Sequence, residues 1–241
     1  MRPVLANLGF VLQLAGLLTL LPIGVAFYYG ETKALISFFL TAIAFLGSGF
    51  ILNALAEKKE LDFRTSAALI TLVFLILGLF GSIPFLYLGV FSGQGPLEEF
   101  TNSYFEATSG FTTTGFSLIS DVDSLPRSLV FYRALTQFIG GVGLVFILLA
   151  FLYPGRALIQ LGRAVGAEDL TTDMRKTFLI ILLIYSLYAG LFSLAFYNWG
   201  VSDPAVAVSL AFSGLATGGF SPVSDFRPLT VYPLNVLLAL L

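Results

Sequence analysis

Neither cysteine nor histidine occurs anywhere in the 241 residues, and only 11% of them carry a charge. Without cysteine there are no disulfides and no thiol nucleophile. Without either residue, Cys/His metal sites and histidine-dependent catalysis are excluded. No paired carboxylates inside an apolar segment offer acid–base chemistry instead, so an enzyme is not expected. No Gly-x-Gly-x-x-Gly or Walker sequence is present, which leaves no visible nucleotide site. The net charge is −2 with no basic patch, and nucleic acid is therefore not an expected partner.

The shortage of charge is concentrated in long runs, whereas a soluble domain carries about a quarter charged residues throughout. Pro3–Gly30, Ala34–Ala56, Ser66–Ser92 and Thr177–Gly200 contain no charge at all, and Ser128–Tyr153 is interrupted only by Arg133. Each is longer than the ~20 residues a helix needs to cross ~30 Å of hydrocarbon. The chain is therefore read as an all-α polytopic membrane protein in contact with the lipid bilayer. Spans are expected at 4–29, 34–56, 66–92, 128–153 and 177–199, with a last one beginning near 229. The first apolar stretch is too long for a signal-peptide core and reads as a retained span. Leu229–Leu241 is too short to cross, so the chain is expected to stop inside a membrane helix.

Orientation follows from lysine and arginine. With a cytoplasmic N-terminus, Arg2, Lys58, Lys59, Arg64, Arg156, Arg163, Arg175 and Lys176 lie inside. Only Lys33, Arg127, Arg133 and Arg227 then lie outside, which satisfies the positive-inside rule. The outer segments hold Glu31, Glu98, Glu99, Glu106, Asp121, Asp123, Asp203 and Asp225. These form either an acidic vestibule that concentrates cations or ordinary solvated loop charge.

Two outer connections repeat one another. Ser109-Gly-Phe-Thr-Thr-Thr-Gly-Phe-Ser-Leu-Ile-Ser-Asp121 aligns without gaps on Ser213-Gly-Leu-Ala-Thr-Gly-Gly-Phe-Ser-Pro-Val-Ser-Asp225, with eight of thirteen positions identical. An internal repeat set in the same place between two spans marks a duplicated unit of span, re-entrant segment and span. Non-helical backbone is tolerated at membrane depth only where it is packed in protein or lines water. Loops rich in threonine and glycine meet that condition in ion filters, where carbonyls replace a cation's hydration shell. Glycine permits the backbone angles such a ring demands. The stretches Leu97–Ser109 and Pro204–Ser213 are expected as short helices, with Pro96 and Pro204 near their starts. The alternative is a pair of duplicated glycine-rich outer turns.

At this point the residues resemble a known family. Phe105-Glu-Ala-Thr-Ser-Gly-Phe-Thr-Thr-Thr-Gly115, Asp123-Ser-Leu-Pro-Arg-Ser128 and Arg133-Ala-Leu-Thr-Gln-Phe-Ile-Gly-Gly-Val-Gly143 look like the Trk/Ktr/HKT superfamily of potassium transporters, closest to its bacterial TrkH/TrkG branch. The resemblance implies four span–pore–span repeats around one pore, of which this chain holds the N-terminal half. On that layout residues 1–60 are two leading spans, 61–155 the first repeat and 156–241 an incomplete second. The filter strands would be Thr112, Thr113, Thr114 and Gly115, then Ala216, Thr217, Gly218 and Gly219, with the family's key glycine falling on Gly115 and Gly219. Plant relatives with serine at the first such position tend to favour sodium, so Gly115 argues for potassium.

The resemblance further implies potassium as the bound ion, an inner-membrane location, a homodimer and a cytosolic nucleotide-binding RCK-type regulatory subunit. Ala216 and Gly218 depart from Thr112 and Thr114, so the two strands supply unequal numbers of hydroxyls. On this reading the 241 residues are expected to hold neither the third-repeat gate nor the last two repeats, and two strands alone are not expected to make a selective pore. Among the remaining residues, Glu106 is expected to hydrogen-bond the loop or to shape the field behind the filter. Arg133 and Gln137, one turn apart, are expected to brace the outer end of a span, the alternative being contact with ions. Gly140, Gly141 and Gly143 suit either a close helix approach or a gating hinge. Pro154–Lys176 reads as a partner-docking surface or a linker. The rival function is a secondary transporter with broken helices and a midplane cation site.

Overall fold

The structure, a computed structural model, describes residues 2–54, 63–93, 95–152 and 174–225. Within them the chain is helical, with no strand. Two leading segments come first: α1 (Arg2–Leu18) with α2 (Leu20–Tyr28), then α3 (Thr32–Ala54). Then follow α4 (Phe63–Gly81), the short α5 (Ile83–Tyr87), α6 (Pro96–Phe111) and α7 (Arg127–Leu152). The last two helices are α8 (Met174–Asn198) and α9 (Pro204–Leu215). Val4–Tyr28, Thr32–Ala54, Ala67–Tyr87 and Leu179–Asn198 are long and apolar enough to cross a membrane. The 26 residues of α7 reach ~39 Å, which also suffices. The expected run from 229 to the end and most of the 154–176 connection lie outside the described residues.

Two expected continuous spans are each broken once, and proline is the reason both times. Pro22 lacks an N–H and its ring opposes the carbonyl four residues back, so the helix is interrupted at Thr19. The Thr19 hydroxyl donates to the Ala15 carbonyl (2.7 Å), covering one acceptor near the break. Pro84 does the same at Ser82, where the Ser82 hydroxyl donates to Leu79 O (2.7 Å) and the Tyr132 hydroxyl donates to Gly81 O (3.0 Å). Carbonyls freed inside a span need such partners because lipid offers none.

Helices in lipid gain little from apolar burial against one another, so contact between them depends on fit. At the α1–α3 crossing a Cβ on Gly9 would lie 2.7 Å from Gly49 O, and one on Gly49 would lie 2.8 Å from Gly9 O. Only glycine lets these backbones meet. Phe38, Phe85, Ala107, Leu129 and Tyr132 join α3, α5, α6 and α7 in one buried cluster. Phe131, Phe138 and Val142 of α7 pack with Ile181 and Ala189 of α8 and Phe212 of α9 in another. On α8, Leu183, Leu187, Leu191 and Leu194 are exposed, as expected of a surface facing hydrocarbon. These contacts set α7 between α6 and α9, and that placement builds the site.

Candidate functional site

Both short helices begin and end alike. Pro96 and Pro204 stand in their first turns. Asp203 caps α9 by accepting from the Ala205 N–H (2.9 Å). At the C-terminus of α6, Thr113 N–H donates to Gly110 O (3.0 Å) and Thr114 N–H to Ser109 O (3.0 Å). At α9 the same pair recurs, Thr217 N–H to Gly214 O (2.9 Å) and Gly218 N–H to Ser213 O (2.8 Å). This is the Schellman pattern, whose left-handed position is ordinarily glycine. Here it is threonine in both repeats, with φ of 55° at Thr113 and 51° at Thr217. A β-branched residue at positive φ is a true outlier and costs on the order of 1–3 kcal/mol. Strain of that size kept twice at equivalent positions is the mark of a working segment.

The strands that follow share one backbone course. Thr112 and Ala216 have φ of −86° and −77°. Thr113 and Thr217 are positive, Thr114 and Gly218 are not, and Gly115 and Gly219 are positive again at 76° and 81°. Alternation between right- and left-handed dihedrals turns successive peptide planes so that carbonyls can gather on one side. The strands also touch: a Cβ on Gly115 would fall 2.0 Å from Gly218 O and 3.1 Å from Gly219 Cα. Gly219 is more open, with Gly115 Cα 3.8 Å from where its Cβ would stand. Among the described residues no group of three or more histidine, cysteine, aspartate or glutamate side chains could hold a metal ion. The oxygens that the two segments themselves carry are backbone carbonyls and the hydroxyls of Thr112, Thr113, Thr114 and Thr217.

A family model described as TrkH, a cation transport protein, matches residues 32–225. The chain belongs to the TrkH family. It is 32% identical over 236 residues to an uncharacterized cation transporter of Methanocaldococcus jannaschii, a match covering 95% of this chain and 48% of that protein. It is 31% identical over 228 residues to the Trk system potassium uptake protein TrkH of Escherichia coli, covering 91% and 46% respectively. The crystal structure of the potassium transporter TrkH from Vibrio parahaemolyticus superposes with a TM-score of 0.81 at 27% identity, covering 99% of this chain and 48% of that one. The chain thus spans about half the length of the curated relatives it matches. The TrkH family is one of transporters, not enzymes, and this chain has four helices long and apolar enough to cross a membrane among the described residues.

In this TrkH-family chain the eight residues expected at the filter fall into two adjacent strands with unequal surroundings. Thr112 and Thr114 are exposed, with their hydroxyls 2.8 Å apart, and Phe116 is 71% exposed. Their counterparts Ala216, Gly218 and Phe220 are buried, while Thr217 and Gly219 are exposed. The cause is α7. A Cβ on Gly141 would stand 3.0 Å from Ala216 Cβ, and one on Gly140 would stand 2.0 Å from Phe111 O. These glycines let α7 approach the ends of both short helices. Gln137, wholly buried, donates from Nε2 to Gly218 O (2.5 Å) and accepts at Oε1 from Phe220 N–H (3.2 Å).

One turn earlier, Arg133 and Glu106 form an ion pair (2.9 Å) whose side chains are 1% and 0% exposed. Glu106 accepts from the Ser117 hydroxyl (2.8 Å) and from Leu118 N–H (3.0 Å), so it does bond the loop. Arg133 also donates to Ser117 Oγ (2.9 Å) and Ser221 O (3.2 Å), and its guanidinium lies 4.3 Å from the Phe220 ring centroid. The pair therefore ties together the segments leaving both strands. Sequence reasoning placed Arg133 and Glu106 on separate elements without joining them. Opposite charges in two apolar helices were the available signal.

Several carboxylates of the connections between helices are engaged in holding the backbone. Glu31 accepts from Arg127 N–H (2.6 Å), Ser128 N–H (3.0 Å) and the Ser128 hydroxyl, capping α7. Asp203 pairs with Arg127 (3.1 Å) and accepts from the Tyr29 hydroxyl (2.5 Å). Burial, reinforced by Asp203, pushes that hydroxyl up from 10.0 to about 12. Ser224 N–H donates to Asp123 (3.2 Å), while Val122 N–H donates to Ser224 Oγ (3.0 Å), linking the two loops beyond the strands. The acidic residues here are caps and ties before they are an attracting field.

Proposed function

We propose that Thr112–Gly115 and Ala216–Gly219 are two strands of the selectivity filter of a Trk-type potassium pathway. The observation that carries this is the matched dihedral course, with threonine held at positive φ ahead of a glycine in both repeats. Carbonyls and threonine hydroxyls suit potassium, a hard cation bound by oxygen. The exposed edge of the first strand, Thr112, Thr114 and Phe116, supports a ring that further strands and inner helices complete. We assign residues 1–60 to two leading spans, 61–155 to the first repeat and 156–241 to the second. The chain sits in the inner membrane with its N-terminus cytoplasmic. By family resemblance it works as a homodimer with a cytosolic RCK-type regulatory subunit.

The test is paired potassium and sodium uptake by the complete transporter containing this chain, in cells lacking their own potassium uptake. Gly115→Ser brings a side chain against Gly218 O, and Gly219→Ser strains the backbone with less steric conflict. Both variants are expected to lower the potassium-to-sodium ratio. An unchanged ratio in variants that still carry ions would reject the filter assignment.

A further inference from the structure

Gln137 lies on a helix of the first repeat, yet both hydrogen bonds described for its amide go to the strand of the second. We propose that Gln137 is a positioning residue for ion selectivity, fixing the second filter strand without itself touching the ion. The inference rests on the filter reading above.

Three observations converge on it. Arg133, Gln137 and Gly141 recur every four residues and so share one face of α7. That face meets Phe220, Gly218 and Ala216 in turn. The three contacts follow one another in order along both segments, from Arg133 with Phe220 through Gln137 with Gly218 to Gly141 with Ala216. Helix and strand run antiparallel, each lending one residue per contact.

Gln137 also accounts for the departure at Gly218. A Cβ there would fall 2.4 Å from Gln137 Cδ and 2.5 Å from its Oε1. The glutamine therefore fits only because this strand carries glycine where the first carries Thr114. Each polar end of the amide has a distinct task. The NH2 group holds the Gly218 carbonyl, and the carbonyl oxygen holds Phe220 N–H. Between those two anchors the peptide planes on either side of Gly219 have little freedom to rotate. The Gly219 carbonyl lies in the second of those planes and the Thr217 carbonyl in the plane just before Gly218, and the direction of both bears on which ion the strand suits.

The experiment compares Gln137→Leu and Gln137→Glu with Gly219→Ser in the complete transporter, reading the potassium-to-sodium uptake ratio alongside abundance and monodispersity. Leucine removes both hydrogen bonds at similar size. Glutamate keeps the acceptor for Phe220 N–H but, when ionised, cannot donate to Gly218 O. Both should reach the membrane, and both should lower the ratio by roughly five- to tenfold, the factor that about one buried hydrogen bond is worth. A change in abundance with the ratio intact would overturn the proposal, since a purely structural residue behaves that way. If leucine prevents folding, the isosteric glutamate decides on the same criterion. The control separates the two readings. Where Gly219→Ser lowers the ratio and neither Gln137 variant does, only the positioning role fails. Where Gly219→Ser also leaves it unchanged, the filter reading fails and this inference with it.

Discussion

Gly115 and Gly219 occupy the same place in the repeat and the same left-handed backbone, but their neighbours make them unequal. At Gly115 a methyl group would meet Gly218 O at 2.0 Å, a backbone atom that cannot swing aside; at Gly219 the nearest heavy atom would be 3.8 Å away. Alanine at 219 then carries only the cost of an L-residue at positive φ, about 1 kcal/mol. Alanine at 115 adds an overlap between two strands. Thermal melting in detergent should show Gly115→Ala losing clearly more stability than Gly219→Ala, and equal losses would contradict the strand contact. That both positions need glycine was legible from the repeat. That one of them is also a contact between strands was not, because it depends on which carbonyl faces it. The left-handed threonines escaped sequence reasoning for a related cause: threonine disfavours that conformation, so no local rule places it there.

At the scale of elements, α7 carries most of the organisation. It buttresses the second strand through Gln137 and Gly141, meets the end of α6 through Gly140, and binds Glu106 through Arg133. The two Thr-Gly segments are therefore interlocked, with the helix that follows the first supporting the second. A buried ion pair broken on one side leaves an uncompensated charge, which typically costs about 3–5 kcal/mol. Arg133→Leu should thus destabilise the protein by about that much, and Glu106→Gln by less, since the amide still accepts a hydrogen bond. Melting curves of the two variants check the order, and the reverse order would mean that the pair is not what holds the loops. Helix positions were readable from apolar runs and from Pro96 and Pro204. The breaks at Thr19 and Ser82 were not anticipated, although Pro22 and Pro84 stand three and two residues beyond them. A long uncharged run hides a proline that neighbouring helices make tolerable.

For the molecule as a whole, the proposed orientation places Lys58 and Arg163 in the cytoplasm and Asp123 and Asp225 outside. Because the chain has no native cysteine, single cysteines at these four positions report directly. A membrane-impermeant thiol reagent applied to intact cells should label positions 123 and 225 only, and labelling at 163 would invert the topology. Membrane class and the duplicated unit were legible from composition and repeat. The pairing of the two units was not, because it runs through side chains 80 or more residues apart, such as Gln137 with Gly218. The central claim is that the two Thr-Gly strands coordinate a monovalent cation. Anomalous scattering from crystals of the complete transporter grown in rubidium or thallium tests it most directly. The account predicts ion density on the axis at coordination distance from the Thr113 and Thr217 carbonyls. Ion density elsewhere in the protein, with none beside these strands, would contradict it.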